Sequence, residues 1–274
     1  CRVPNAGLPR FHGCTFLAAY PFGQALLSDN AMPVDVTLQA FNPLIPADAE
    51  RSAIPTAILR FAVTNKTNEY LTASLCGNVQ NFIGTDGTEG TPKANRNTFK
   101  LENSSTPIQG VFMTSNGVDR GSEQWGSMAL ATTATSGITY RTAWASLSWG
   151  DSLLDFWDDF ASDGLLEKRT TINADSPMAS LSVSLEIAPG DTQTVTFLLT
   201  WHFPNRQTWT PIAVPITKSR TGDLGNSGAH IDNPNRIGNY YTTRYHDAWD
   251  VAVKTAASLP ELEATTLAFV RNFC

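Results

Sequence analysis

The sequence predicts a mostly β protein: one large antiparallel β-sandwich with a short inserted helix and a helical C-terminal segment. Two observations lead to this prediction. Apolar and polar residues alternate along several segments, as they do in strands that have one buried face. Turn-forming residues separate these segments, and long helical periods are few before residue 245. A chain of 274 residues is long enough to build such a sandwich as a single domain.

The alternation is clearest in four strands. PVDVTLQAF (33–41) and TAILRFAVTN (56–65) place apolar side chains at every second position. SLSVSLEI (180–187) and TQTVTFLLTW (192–201) flank a Pro-Gly-Asp turn, so we predict a β-hairpin over residues 180–201. Less regular strands are predicted at 71–78, 108–114, 126–132, 138–146 and 165–170.

Helical spacing predicts α-helix in two places. The segment SLLDFWDDFA (152–161) precedes the stop signal Asp163-Gly164 and is predicted to form one short helix. A second pattern starts at Asp247 and is interrupted by Pro260, so we predict a pair of C-terminal helices. We expect their apolar stripe to be exposed unless another domain covers it. The stripe consists of Ala248, Val251, Ala252, Ala256, Leu262, Leu267, Phe269, Val270 and Phe273.

The predicted organisation is a β-sandwich over 1–245 and a helical linker over 246–274. The chain begins with Cys1 and shows no signal peptide, so we expect a piece of a longer protein that lacks the first strands of the sandwich. Its compartment is left open, with a cytoplasmic or peripheral location favoured. No apolar stretch approaches the ~18 residues that a spanning helix needs, so we expect no transmembrane segment.

Composition excludes several function classes. Hydrophobic residues make up 42% and charged residues 16% of the chain, as in a folded protein. The formal net charge is −6 and no basic run occurs, which argues against nucleic acid as a partner. Nucleophile-elbow and phosphate-loop motifs are absent, and no histidine has metal-ligand spacing. We therefore expect no metal and no cofactor in this chain, and the motifs give no catalytic residue.

The four cysteines form no CxxC pair, which excludes a zinc ribbon or a thioredoxin-like motif. A Cys1–Cys14 or a Cys1–Cys274 disulfide stays open beside free, buried thiols at these positions and at Cys76.

A run of aspartates surrounds the predicted short helix. It allows a calcium site or an acid/base pair, and a complete small enzyme would depend on it. We favour a solvated acidic helix face, with calcium binding left open. The run consists of Asp151, Asp155, Asp158, Asp159 and Asp163.

The end of the last predicted strand and the long loop after it form the candidate site. WHFPNR (201–206) opens a loop over 203–240 that is rich in Pro, Asn, Gly and Thr, and loops of this length are usually functional. Three interpretations stay open: packing of the loop on the sandwich, contact with a neighbouring domain, or stacking of aromatic rings on a sugar. The candidate residues for interdomain or glycan contact are Trp201, His202, Asn205, Arg206, Trp209, Tyr241 and Arg244.

The chain resembles the N-terminal domain of glycoside hydrolase family 116. The similarity is carried by FNPLIPADAERSAIPTAILRFAVTN (41–65), by WHFPNR (201–206), by NYYTTRYHDAWDVA (239–252) and by LPELEATTLAFV (259–270), in this order. The most specific parts are the F-x-P-x-I-P segment and W-x-F-P-N-R.

The resemblance implies a two-domain β-glucosidase or non-lysosomal glucosylceramidase. In that family a β-sandwich is followed by an (α/α)6 barrel, and the barrel holds both catalytic carboxylates. The partner would be that catalytic domain of the same polypeptide, and the reaction would be retaining hydrolysis of a β-glucoside, such as glucosylceramide. This chain would be the non-catalytic scaffold. The alternative is a stand-alone carbohydrate-binding sandwich module.

Overall fold

The computed structural model describes residues 8–102, 106–169, 174–210, 212 and 235–273. These residues form a β-sandwich with three α-helices and one 3-10 helix, Tyr240–Thr243. The helices are α1 Ala49–Ser52, α2 Asp151–Asp163 and α3 Ala248–Phe273. The strands are β1 Gly13–Ala19, β2 Phe22–Ser28, β3 Val34–Phe41, β4 Thr56–Asn65, β5 Leu71–Gln80, β6 Asn95–Glu102, β7 Ile108–Ser115, β8 Ser127–Thr132, β9 Ile138–Arg141, β10 Met178–Ile187 and β11 Thr192–His202.

Two antiparallel sheets of unequal size face each other. The larger sheet has eight strands in the order β1-β2-β3-β4-β11-β8-β7-β6, and the smaller has three in the order β5-β10-β9. Apolar side chains from both sheets, such as Leu181 and Val183 on β10 and Val195 and Phe197 on β11, pack into one core cluster. The prediction of a large antiparallel β-sandwich is confirmed.

The predicted hairpin over 180–201 is wrong in its pairing, although both strands lie where the alternation places them. β10 pairs with β5 and β9 in the small sheet, whereas β11 pairs with β4 and β8 in the large sheet. The turn at Gly190 therefore carries the chain from one sheet to the other. The physical reason is that both strands have an apolar face, and each buries that face against the other across the sandwich.

The predicted pair of C-terminal helices is also wrong, because α3 is one continuous helix with Pro260 inside it. The first part of its apolar stripe is covered by the domain itself. Ala248, Ala252 and Ala256 pack on the outer face of the large sheet, in one cluster with Ile58 of β4 and other strand residues. Leu262 and Val251 pack against Ile45 and Ile54, which flank α1. Phe273 belongs to α3, but its side chain lies outside the described part of the chain.

The remaining predicted elements agree in part. The strands predicted at 71–78, 108–114 and 126–132 correspond to β5, β7 and β8. The strand predicted at 138–146 ends at Arg141, and residues 165–169 form no strand, because they pack on α2 as an irregular segment. β1, β2 and β6 were not predicted. The predicted helix is confirmed as α2, which ends at Gly164 in a left-handed conformation with φ 76°.

No helix within the described ranges has both the length and the apolar character of a membrane span.

Candidate functional site

The residues of WHFPNR lie at one end of the sandwich, which we call the loop end. β11 ends there at His202, beside Ser127 at the start of β8. The register places the β1–β2 turn at this end, because Phe22 pairs with the last residue of β3, Phe41. β10 starts and β9 ends there too, since the turn at Gly190 that joins β10 to β11 lies at the opposite end. The loop end thus collects the connections that sandwiches commonly use for function.

His202 is buried and is held by the residues before α3. Its Nε2 lies 2.9 Å from the carbonyl oxygen of Tyr245, and its ring meets the ring of Tyr241 edge-on, with centroids 5.7 Å apart. Burial lowers the pKa of His202, because the charged imidazolium would lose its hydration. The neutral ring with a proton on Nε2 can donate to the Tyr245 carbonyl, so His202 acts here as a fixed structural group.

The hydroxyl of Tyr241 closes a small polar network around Phe203. It accepts from the Phe203 backbone N–H at 3.1 Å and donates to the Phe203 carbonyl, also at 3.1 Å. Asn239 donates to the same carbonyl at 2.8 Å and to the Tyr241 hydroxyl at 3.2 Å. Burial raises the pKa of Tyr241, against the opposing effect of these hydrogen bonds. The segment after β11 is therefore fixed to the segment before α3.

Asn205 fixes the other side of this segment. It is 2% exposed, and its Nδ2 donates to the carbonyls of Arg120 at 2.6 Å and Ser122 at 2.8 Å. Nearby, Gly126 leaves space for the chain after β11, because a Cβ built there would lie 2.2 Å from the His202 carbonyl oxygen. Trp201 packs at the margin of the core between the sheets. Trp201, His202, Asn205 and Tyr241 thus have contacts inside the domain.

The other three candidate residues face solvent. Trp209 is 90% exposed. Arg206 is exposed, and its carbonyl accepts from the N–H groups of Ile237 and Gly238 at 3.0 Å each. Arg244 forms an ion pair with Glu50, which raises the pKa of Arg244 and lowers that of Glu50. These residues are available for contacts outside the domain, whereas residues 213–234 of the predicted loop lie outside the described ranges.

A shallow depression of about 320 Å³ borders Trp209. Its lining combines one indole ring with charged, amide and hydroxyl groups. The lining residues are Glu123, Arg206, Gln207, Thr208 and Trp209.

Exposed apolar side chains concentrate around the loop end. The largest exposed fraction is that of Trp149, at 99%, in the connection between β9 and α2. Trp149 also has φ 59°, a left-handed conformation that is costly for a bulky residue and that is often kept for function. Others in loop-end connections are Tyr20, Phe82, Trp209, Ile212, Ile237 and Tyr240. At the opposite end, the strand connections expose Met32 and Tyr70.

Sequence reasoning missed Trp149 and Tyr20, which belong to this surface. Trp149 lies between a short strand and a helix, in a segment without periodicity, so its exposure depends on a backbone conformation that the sequence does not reveal. The one sequence feature that could have indicated this conformation is the glycine after the tryptophan, Gly150, which also has a positive φ.

The acidic run at α2 is neither an open calcium site nor a fully solvated face. Arg141 of β9 has a side chain with 0% exposure, and its Nη1 and Nη2 lie 2.9 Å from Asp155 and 2.5 Å from Asp159. Arg169 adds contacts to both aspartates, at 3.2 and 3.8 Å. The expected solvated face is therefore wrong for Asp155 and Asp159, which neutralise a buried arginine, whereas Asp158 is exposed as expected.

Metal-ligating side chains do not gather in groups of three anywhere in the part of the chain that the structure describes. Cys14 and Cys76 are free. Cys14 is exposed on β1, so the alternative of a buried thiol is wrong for this residue. Burial raises the pKa of the Cys76 thiol to about 12. Cys1 and Cys274 lie outside the described residues.

The pH dependence of stability follows from the buried His202. Its folded pKa is lowered, so the unfolded chain binds the proton more readily. We expect stability to be full above the ordinary histidine pKa of about 6.5 and to fall below it, by at most about 1.4 kcal/mol per pH unit. Urea unfolding at pH 7.5, 6.0 and 5.0 would measure this.

The control for His202 is His202→Gln, whose amide can still donate to the Tyr245 carbonyl. The drop in stability on acidification should be smaller in this variant. An unchanged drop would assign the pH dependence to groups other than His202.

Two comparisons relate this chain to known proteins. It is similar to a solved structure described as "Putative kojibiose phosphorylase from human microbiome", at 9% identity and a TM-score of 0.32, over 66% of this chain and 18% of that chain. The chain thus spans a small part of that protein, and a TM-score this low carries no argument.

The second comparison is with a family profile, described as "beta-glucosidase 2, glycosyl-hydrolase family 116 N-term", which matches residues 5–262. The match includes the sandwich, the loop end and most of α3. This chain therefore belongs to the family of N-terminal domains of glycosyl-hydrolase family 116.

Proposed function

We propose that this chain is the non-catalytic sandwich of a β-glucosidase-type hydrolase and that its loop end holds the catalytic domain of the same polypeptide. The parent reaction would be retaining hydrolysis of a β-glucoside, with both carboxylates supplied by that catalytic domain. Glucosylceramide is one candidate substrate of the parent enzyme. The (α/α)6 architecture of the partner comes from the family resemblance.

The observation that supports this proposal most is the exposed apolar surface of the loop end. Exposed aromatic residues such as Trp149, Trp209 and Tyr240 are typical of protein interfaces, where tryptophan and tyrosine often dominate the binding energy. The segments that carry Trp209 and Tyr240 are held by the buried contacts of Asn205 and Tyr241. Such preorganisation lowers the entropy cost of docking.

The contacts of Asp155 and Asp159 support a non-catalytic role. Both carboxylates are engaged by Arg141 and Arg169, so neither is free to act as nucleophile or acid/base.

The test uses the 274-residue chain beside the full-length polypeptide. We expect 4-nitrophenyl β-glucoside to be hydrolysed by the full-length protein and not by the chain alone. The double variant Trp209→Ser/Tyr240→Ser in the full-length protein should weaken domain docking by about 2 kcal/mol. Scanning calorimetry and limited proteolysis between the domains would show this, with the stability of the isolated chain unchanged.

The matched control is Tyr70→Ser, since Tyr70 is 78% exposed but lies at the opposite end of the sandwich. Hydrolysis by the chain alone would refute the proposal. An equal effect of the control and the double variant would refute the loop end as the docking surface.

The alternative, a carbohydrate-binding module, is favoured by the depression beside Trp209, because an indole face and hydrogen-bonding groups are what a sugar ring requires. Saturable binding of cellobiose to the isolated chain, lost in Trp209→Ala, would support the module instead.

A further inference from the structure

We propose that β1 is an interface at which a second copy of this chain pairs strand to strand. The proposal goes beyond the docking function of the loop end, because it concerns the edge of the large sheet.

The first observation is the exposure of β1. It is the edge strand of the eight-stranded sheet, and within the described residues its outer side pairs with no strand. Five consecutive residues from Cys14 to Ala18 are exposed. Phe16 is 70% exposed and Leu17 is 48% exposed, on opposite faces of the sheet. Two atoms of the Phe16 ring lie 3.4 Å from the position that a Cβ at Gly23 would occupy, so the ring lies beside this glycine of β2.

The second observation is that the described residues of this edge have none of the features that commonly protect an edge strand. Natural monomers block exposed edges with charged residues, proline, bulges or very short strands. The β1–β2 hairpin (13–28) contains no charged residue, and its only proline lies in the turn. All seven residues of β1 pair in regular register with β2, without a bulge. The described part of the edge is thus regular and uncharged, and its outer backbone groups are open to pairing.

The third observation is that the apolar surface continues beyond the strand. On the outer face, a groove of about 300 Å³ runs between the hairpin and the end of α3. Leu17 and Phe22 line it on one side, and Leu267 and Val270 on the other. Exposed Leu26 lies near this groove, as the register partner of Thr15. An apolar patch with an open backbone edge marks an association surface.

A second copy fits this edge because the strand is complementary to itself. In an antiparallel pair centred on Phe16, the two Phe16 rings are opposite each other, and Thr15 faces Leu17 of the other copy. Cys14 then faces Ala18, which pairs two small side chains. No like charges meet, since neither strand carries a charge. Such a two-fold arrangement forms a closed dimer, in which the β1 edge of each copy is paired with that of the other.

The first experiment measures the mass of the purified chain by light scattering after size exclusion. We expect about twice the 29.7 kDa of one chain. Phe16→Lys should raise the dissociation constant about 100-fold, because it places two like charges opposite each other and removes an aromatic pair. Tyr70→Lys is the control, since Tyr70 is 78% exposed and lies in the connection between β4 and β5, outside the β1–β2 hairpin.

The second experiment tests the register. Ala18→Cys places a thiol opposite Cys14 of the other copy, within the reach of a disulfide. Mild oxidation should give a covalent dimer that is stable in denaturant without reductant. Ala264→Cys, on the exposed side of α3, is the control and should give little covalent dimer. This result would show that the disulfide in Ala18→Cys does not come from random collisions.

A monomeric wild-type chain at 100 µM, with circular dichroism showing it folded, would overturn the proposal. A dimer that survives Phe16→Lys would also overturn it, because association would then use another surface. These outcomes are independent of the docking test, because that test measures the contact between two domains of one polypeptide and this one measures the association of two chains.

Discussion

Replacing Arg141 with methionine is expected to lower the free energy of unfolding by about 3–5 kcal/mol, because it leaves the buried Asp159 carboxylate with only the partly exposed Arg169 as an ionic partner. The Arg141 side chain has 0% exposure and that of Asp159 has 7%. The guanidinium also donates through Nε to the Glu167 carbonyl at 3.0 Å, so the residue ties α2 and the segment after it to β9. Urea unfolding, followed by tryptophan fluorescence, would measure the loss.

The matched control is Arg169→Met. Arg169 contacts the same aspartates, but its side chain is 26% exposed, so water can replace it and the expected loss is about 1 kcal/mol or less. Adding Asp159→Asn to Arg141→Met should recover part of the stability, since a neutral amide is cheaper to bury than a lone carboxylate. Equal losses in Arg141→Met and Arg169→Met would contradict the assigned role of burial.

Gly126→Ala is expected to cost about 3 kcal/mol and to loosen the loop end. A Cβ at this position would lie 2.2 Å from the His202 carbonyl oxygen and 2.6 Å from the Phe203 ring. The conflict is with backbone, so the chain after β11 must move. That movement should break the hydrogen bond from the Ala248 N–H to the Ser127 hydroxyl, now 2.9 Å, at the start of α3.

Gly121→Ala tests the specificity of this effect, because both glycines lie in the connection between β7 and β8. A Cβ at Gly121 would meet only the Asp119 carboxylate, at 3.7 Å. We expect a change within about 0.5 kcal/mol for this control. Hydrogen exchange of the backbone amides in 201–210 would rise in Gly126→Ala alone. Similar exchange in both variants would argue against the close approach as the cause.

Alternation predicted where most strands lie, but not how they pair. The segments 180–187 and 192–201 are adjacent in sequence and have a turn between them, as a hairpin would. Their partners were decided instead by the need to bury two apolar faces against each other, which is a property of the whole sandwich. β1 escaped prediction for a related reason: with five of its seven residues exposed, it has no buried face to produce a pattern.

Pro260 misled the helix prediction because a proline removes one backbone donor but does not forbid a helix. Leu259 and Leu262, on either side of it, are both buried, against the large sheet and against residues near α1. This packing holds the two halves of α3 in line. Local propensity pointed to a break, and tertiary contacts outweighed it.

The candidate site stays a prediction, but the structure shows how its residues divide into two groups. Trp209 and Arg206 face solvent. His202, Asn205 and Tyr241, however, serve as internal supports, because their partners come from segments that lie 36 to 85 residues away in the chain. Sequence spacing cannot show such contacts. The docking role of the exposed residues stays a proposal.

The position of α3 has a consequence for how the chain matures. Ile58, Ile108 and Leu198 become buried only when this helix covers them. During synthesis the strands leave the ribosome before α3 does. One apolar face of the large sheet therefore stays in contact with water until residues 248–273 have emerged, and this is the period in which chaperones would have to shield it.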